Sequence, residues 1–321
     1  MESIRAERTI RSQYLPRRWC RVTTGVHLRA EPNDRASVLL AWQEVLPPDA
    51  RWTHLTAAAI RDWWLPPLPA QVPVLAAHGP DHRMRRAGLV SIRRKRTVPY
   101  DIMNGLRVDP ASEIIAACAR HLSELDLVCV VTAAVRSGAC TLAELRQVAA
   151  PSDRGMRALR RVLARTDARH ESIWEVLLAE LHHACGIPVR AQHEVSATDG
   201  TFVARGDLWL VGTRRLHEYD GRWHGADRQR RADLRREGRI LRAGWTRRGY
   251  VADDLLYRAV RILEDADQAI GRTHDPHRIR AWHRLVGRSL FTPSGRTALL
   301  RRLGVQEVEP SLVARRALGA A

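Results

Sequence analysis

Lysine is all but missing from this chain. Lys95 is the single lysine among 53 basic residues, so the net charge of +18 and the isoelectric point near 11.1 rest on arginine. A polyanion is the natural partner for such a charge, and an acidic small molecule a weaker one. Codon bias in a GC-rich genome produces the same pattern, yet arginine binds phosphate bidentately whatever its origin. Cysteine is scarce too: Cys20, Cys118, Cys129, Cys140 and Cys185 are odd in number and form no CxxC pair, so they read as reduced core residues. No apolar run approaches the length of a membrane span. The opening residues, MESIRAERTIRSQYLPRRW, are charged throughout and do not resemble a signal peptide. Repeats and low-complexity tracts are absent as well. These absences lead to the expectation of a cytoplasmic bacterial protein.

What is present gathers in residues 207–224, DLWLVGTRRLHEYDGRWH. Residues 207–211 and 214–220 read as strands rich in Leu, Trp, Val and Tyr, with Gly212-Thr213 suited to a two-residue hairpin turn. Pairing Val211 with Arg214 then sets Leu216 opposite Trp209 and Glu218 opposite Asp207, a register that rests on the loop being two residues long. Side chains so placed have Cβ atoms roughly 4.5 to 5.5 Å apart, where like charges repel unless something offsets them. A divalent cation would do so. The period of two puts Asp220 on the face of Glu218, and Gly221 lets the chain turn so that His224 returns towards them. Hard carboxylate oxygens with open positions suit magnesium or manganese better than zinc. The alternative is an exposed hairpin whose acids pair with neighbouring arginines.

A length of 321 residues holds two domains, each able to bury a core. In the first, Cys20, Val22, Val26 and Leu28 suggest a strand pair about Thr24-Gly25, either the wing of a DNA-binding unit or a plain hairpin. Helical spacing runs over 37–46 and 53–64, strands over 72–76, 88–92 and 105–108, and helices over 111–122, 125–137, 141–149 and 155–164. Thr141 with Glu144 forms a capping box. Arg93, Arg94 and Lys95 form a charge cluster fit for phosphate contact or for a solvated loop. The second domain opens with a helix over HESIWEVLLAELHHACGIP, whose apolar face is Trp174, Leu177, Leu178, Leu181 and Cys185. Glu175 sits on the shoulder of that face, although Ser172 with Glu175 is itself a capping box. A strand at 189–195, the hairpin, a basic helix at 227–243, a strand at 245–251 and a helix at 253–270 follow. The basic helix carries Arg230, Arg231 and Arg236, and lies along a nucleic-acid backbone or in solvent. Helices at 281–290 and 294–303 complete a tail.

The order helix with Glu, strand, strand with Asp, strand with E-x-D, helix, strand, helix resembles the PD-(D/E)XK nuclease fold. Residues 170–257 more closely resemble a bacterial domain family of unknown function related to very-short-patch-repair endonucleases. SIWE, Gly186-Ile187-Pro188, GDLWL, HEYDGRWH, RRADLRR and Gly244-Trp245 carry the likeness. It implies that Asp207 and Glu218 bind Mg2+ or Mn2+, with Glu175 an outer metal or water contact. Asp220 stands where the usual lysine would be, and His224 becomes the candidate for proton transfer or phosphate contact. Residues 15–165 resemble the AbiEi-like antitoxin and transcriptional regulator family of type IV toxin-antitoxin systems, through WCRVTTGVHL, WTHLTAAAIRDWWLP and NGLRVDPASEIIAACARHL.

The resulting expectation is an α+β regulator-like domain over 1–166 with a shortened winged-helix start. An α/β restriction-endonuclease-like domain over 167–271 follows, a small mixed sheet flanked by helices, and then a helical tail over 272–321. The implied activity is metal-dependent hydrolysis of DNA, with catalytic residues Glu175, Asp207, Glu218, Asp220 and His224. Arg230, Arg231, Arg236, Arg93, Arg94 and Lys95 would contact DNA. The contrasting reading is a non-catalytic DNA-binding regulator or antitoxin with a degenerate nuclease fold and a cognate toxin as partner. Neither involves a membrane or an organic cofactor.

Overall fold

Two buried salt bridges to one aspartate organise the first half of the chain. In the computed structural model, which describes residues 9–11, 19–29, 35–82, 84–95, 98–221 and 227–305, Arg51 Nε lies 2.8 Å from Asp109 Oδ1 while Arg94 takes the other oxygen. Arg51 opens the two-residue strand β4 (Arg51–Trp52), which lacks the length and alternation that mark a strand in sequence. Around it form β5 (Val74–His78), β6 (Leu89–Arg93), β7 (Asp101–Met103) and β8 (Leu106–Val108), in the order β6-β5-β4-β8-β7. A second sheet holds β2 (Trp19–Thr23) and β3 (Val26–Arg29), turned on Thr24-Gly25 with Gly25 at φ +78, and β1 (Thr9–Arg11) on the far edge of β3.

Helices α1 (Arg35–Gln43) and α2 (His54–Ile60) pack on these sheets, and α3 (Ala111–Ala119), α4 (Glu124–Arg136), α5 (Leu142–Val148) and α6 (Met156–Leu163) form a layer in which α3 meets α2 and the four helices pack on one another. The Thr141–Glu144 capping box forms at the start of α5, as its sequence requires. The middle of α4 is apolar on every side and correspondingly buried. Its one buried acid, Asp126, accepts bonds from Ser123 Oγ, Ser289 Oγ and Leu290 N at 2.7, 2.5 and 3.0 Å. That bonding holds residues 289–290, and with them α12 (Pro293–Arg302), in the same unit as α4.

The chain divides into two units, Met1–Ala164 with Ser289–Ala321, and Arg165–Arg288. Residues 276–286, read from sequence as part of the tail, pack within the second of these. This unit runs α7 (Ile173–Ala184), β9 (Val189–Ser196), β10 (Phe202–Leu210), β11 (Arg215–Tyr219), α8 (Asp227–Arg242), β12 (Thr246–Tyr250), α9 (Ala252–Tyr257), α10 (Val260–Ala269), a 3-10 turn (Pro276–Ile279) and α11 (Arg280–Val286). Its sheet has the order β12-β11-β10-β9. Neighbours are antiparallel except β11 and β12, which are parallel and joined through α8. Among the described residues the protein is thus mixed α/β, with three sheets and twelve α-helices, and no helix is long and apolar enough to cross a membrane.

Two expectations need correction. The loop between β10 and β11 is longer than two residues, because Val211 N donates to Pro188 O and Thr213 folds back on Leu210 O through both its amide and its hydroxyl. The register survives, with Trp209 opposite Leu216 and Leu208 opposite His217, since two residues drop out of the ladder on each side. The helix expected over 253–270 is broken into α9 and α10. Leu255 O, which a continuous helix would offer to Ala259 N, instead accepts Trp282 Nε1 at 2.8 Å.

Candidate functional site

Two neighbouring strands, β10 and β11, and the start of one helix bring four carboxylates together. At the N-terminus of α7 Ser172 Oγ accepts Glu175 N at 3.2 Å, the capping bond its sequence asks for. The Glu175 carboxylate does not close the box; Oε2 accepts Glu171 N at 2.8 Å and Gln192 Nε2 at 2.9 Å. Gln192 lies in β9 opposite Asp207, between the pairs Gly206–His193 and Leu208–Ala191. Its φ of +52 is a left-handed conformation that a strand residue adopts only when its surroundings impose it. Glu175 is buried, and that burial pushes its carboxyl up.

Asp207, in the middle of β10, is joined to β11 by its own side chain: Oδ2 accepts Tyr219 N at 2.9 Å. Its carboxyl is pushed up to about 7, first by burial and then by the Glu175 carboxylate, with Glu218 adding to the effect. Glu218 is buried and its charge is answered. Arg236 of α8 forks onto it with both distances 2.8 Å, and Arg247 of β12 donates Nε at 2.5 Å. Burial alone would raise the Glu218 carboxyl, but these two guanidiniums hold it below the usual range. Asp220, beyond the end of β11, pairs with the other arm of Arg247. Gly249 makes this pairing possible, since a Cβ there would stand 1.7 Å from Asp220 Oδ2. Burial and then Glu218 raise the Asp220 carboxyl against the pull of Arg247.

His217 fixes the strand that carries Glu218. Fully buried, it stands 2.9 Å from His182 of α7 and 2.8 Å from Asp265 of α10, which also binds Arg215.

Glu175, Asp207, Glu218 and Asp220 are therefore brought together, and the arginine pairing of the alternative reading holds for two of them in a setting that is more buried than an exposed hairpin. His224 lies outside the described residues, as do the side chains of Arg230 and Arg231 in α8. Arg236 is committed to Glu218 and to Arg205 O at 2.7 Å. Arg93, Arg94 and Lys95 lie in the first unit; Arg93 and Lys95 are exposed, and Arg94 is tied to Asp109 and Glu113. Gln192 and Arg247 were not singled out in the sequence. The signal for Arg247 would have been the missing lysine of the E-x-K pair, which leaves a cation to be supplied from a neighbouring strand.

Hard oxygen donors are the right chemistry for magnesium or manganese. Among the described residues, however, no three His, Cys, Asp or Glu side chains form a ready metal-ligand group, and the Glu218 oxygens are already engaged by guanidiniums. Four carboxylates nevertheless face two arginines, and the deficit falls on Asp207 and Glu175. A further cation there would lower the cost of ionising both. No protein-family model, no curated protein and no solved structure matches this chain.

Proposed function

We propose that the second unit is a metal-dependent endonuclease that hydrolyses phosphodiester bonds of DNA, and that the first is a regulator-like domain of the AbiEi type. The observation that carries this reading is the grouping of Asp207 with Glu175 and Glu218, where burial first and then the two neighbouring carboxylates push the Asp207 carboxyl up to about 7 against the pull of Arg236. Asp207 and Glu218 would hold Mg2+ or Mn2+, which activates water and stabilises charge on a phosphoryl oxygen. Glu175, fixed by Gln192, orients water beside Asp207. Arg236 and Arg247 keep Glu218 ionised and in place. His224 moves a proton or touches phosphate, as the resemblance implies. The α-β-β-β-α-β order with its parallel final pair agrees with the nuclease resemblance. The basic composition agrees with DNA as the partner, and a cytoplasmic location follows from that substrate.

The test is cleavage of plasmid, mismatched and branched DNA with Mg2+ and with Mn2+, by the parent and by Asp207→Ala and Glu218→Ala. Cleavage lost in both variants, with unfolding still cooperative, supports the assignment. Absence of cleavage on every substrate with undiminished DNA binding refutes it.

One observation favours a second reading. Glu218 is occupied by two guanidiniums, and Asp220 stands where the nuclease fold usually has lysine. A non-catalytic regulator or antitoxin that grips DNA, with a toxin protein as partner, needs this cluster only as a structural clamp. Both readings give salt-sensitive DNA binding, since neutralised phosphates release counterions. Metal-dependent strand breakage separates them.

A further inference from the structure

The first unit contains a cleft of about 580 Å³, within the roughly 300–1,000 Å³ usual for small-molecule sites. One wall is a single helical face: Glu113, Ala116 and Ala117 of α3 and its C-cap Arg120 recur at the spacing that aligns side chains along a helix. A second wall is the end of β6, where Ile92 and Arg93 lead into Arg94 and Lys95. Arg94 N donates to His78 O at 2.9 Å, which continues the ladder with β5, and its guanidinium is clamped by Asp109 and Glu113. The third wall is Asp153-Arg154, held against α3 because Gly155 (φ +90) has no Cβ; one there would lie 2.5 Å from Ala119 O.

The charge on this cleft is uneven. Arg94 is cancelled by its two acids. Arg93, Lys95, Arg120 and Arg154 are exposed and form no ion pair among the described residues, and they face one remaining acid, Asp153. His121, next to Arg120, reports the resulting field: burial and then Arg154 hold its ring below its ordinary value, with Arg120 and Arg302 adding. The floor is apolar, made by Ile92, Val98, Ala116 and Ala117. Cations at the rim select an anion, and the floor accepts a planar apolar group attached to it.

We propose that this cleft is a nucleotide site, which takes a phosphate on Arg93, Lys95, Arg120 and Arg154 and lays the attached base on the Ile92–Ala116 floor. The phosphate comes either from a free mononucleotide or from the 5′ end of a DNA strand. The proposal is independent of phosphodiester cleavage by the second unit.

The experiment is calorimetric titration of the full chain in EDTA with adenosine monophosphate, adenosine, inorganic phosphate, and one oligonucleotide with and without a 5′-phosphate. The parent is compared with Arg120→Gln/Arg154→Gln, whose exposed positions leave folding intact, as thermal unfolding will verify. The expected result is that the phosphorylated probe binds at least tenfold more tightly than its unphosphorylated counterpart, and that the double variant loses that difference. If the mononucleotide meets this criterion the source is a free nucleotide; if only the oligonucleotide does, it is a strand end. Equal binding with and without phosphate, equal binding by parent and variant, or binding of inorganic phosphate as tight as that of the nucleotide would each overturn the proposal.

Discussion

Arg236 grips Glu218 with both arms, Nη1 on Oε2 and Nη2 on Oε1 at 2.8 Å each, from a helix that follows the strand rather than from the strand itself. A ligand set with this pairing is closed to a metal until the guanidinium yields. Arg236→Gln should therefore do two things. Removing one partner of a fully buried pair costs about 3–5 kcal/mol. Arg247 remains on Glu218 and Arg236 is 31% exposed, so a loss of about 1–2 kcal/mol is expected in urea unfolding. The thermal shift on adding Mn2+ should meanwhile grow, since a competitor for Glu218 has gone. A variant as stable as the parent, with an unchanged response to Mn2+, would mean that the fork does not persist in solution.

Asp207 sets the pH dependence of the second unit. Its carboxyl is raised to about 7 in the fold, from about 3.9 in an unfolded chain. The folded state thus binds this proton more tightly, and the stabilisation it confers is complete below pH 4 and is lost as pH rises through 7. The full shift corresponds to about 4 kcal/mol, which partial exposure reduces to about 2. Asp207→Asn should accordingly be more stable than the parent at pH 8 and show little advantage near pH 4. Mg2+ should restore the parent above pH 7 and leave the variant unaffected. Denaturation curves at the two pH values, with and without Mg2+, measure both effects; identical curves for the two proteins would count against the charge surplus at this site.

The hairpin that presents these acids was legible from its alternation and from Gly212-Thr213. The pairing of Trp209 with Leu216 was read from a two-residue turn, and it holds although a longer loop replaces that turn, because as many residues leave the ladder on one side as on the other. Arg247 was not legible, since its place beside Glu218 depends on the parallel register of β11 with β12 across a helical crossover. Nor could alternation reveal that Gln192 stands at φ +52 and donates to Glu175, because that partner lies on α7 rather than on a neighbouring strand. In the first unit helix existence and the Thr141 cap came from local signals, whereas β4 is two residues long and is defined by its pairing with β5 and β8, which no local alternation announces.

Gly249 isolates the role of Asp220. A methyl group at this position would occupy the space of Asp220 Oδ2, and the backbone there is that of an ordinary strand, so Gly249→Ala should act through the displaced carboxylate. Overpacking of this kind costs about 1–3 kcal/mol. Asp220→Ala opens the same space, and in that background Gly249→Ala should cost less than in the parent. A double-mutant cycle read by chemical unfolding gives the coupling. Additive losses would show that the two residues do not meet.

Trp282 supplies a last test, of why the chain breaks between α9 and α10. Its indole Nε1 donates to Leu255 O at 2.8 Å, the ring is fully buried, and the carbonyl it takes is the one that Ala259 N would use in a continuous helix. Trp282→Phe keeps an aromatic ring but removes the donor, leaving a buried acceptor whose unmet bond costs about 1–3 kcal/mol. Part of that cost is recoverable if Ala259 N closes on Leu255 O and the two helices join. Amide exchange at Ala259 should therefore slow in the variant while global stability falls. Trp209 provides the contrast, because its Nε1 bonds Thr213 O at 2.8 Å in a partly exposed loop where water can replace the indole, so Trp209→Phe should cost less. Equal losses for the two variants, with Ala259 exchange unchanged, would leave the break between α9 and α10 to some cause other than the Trp282 indole.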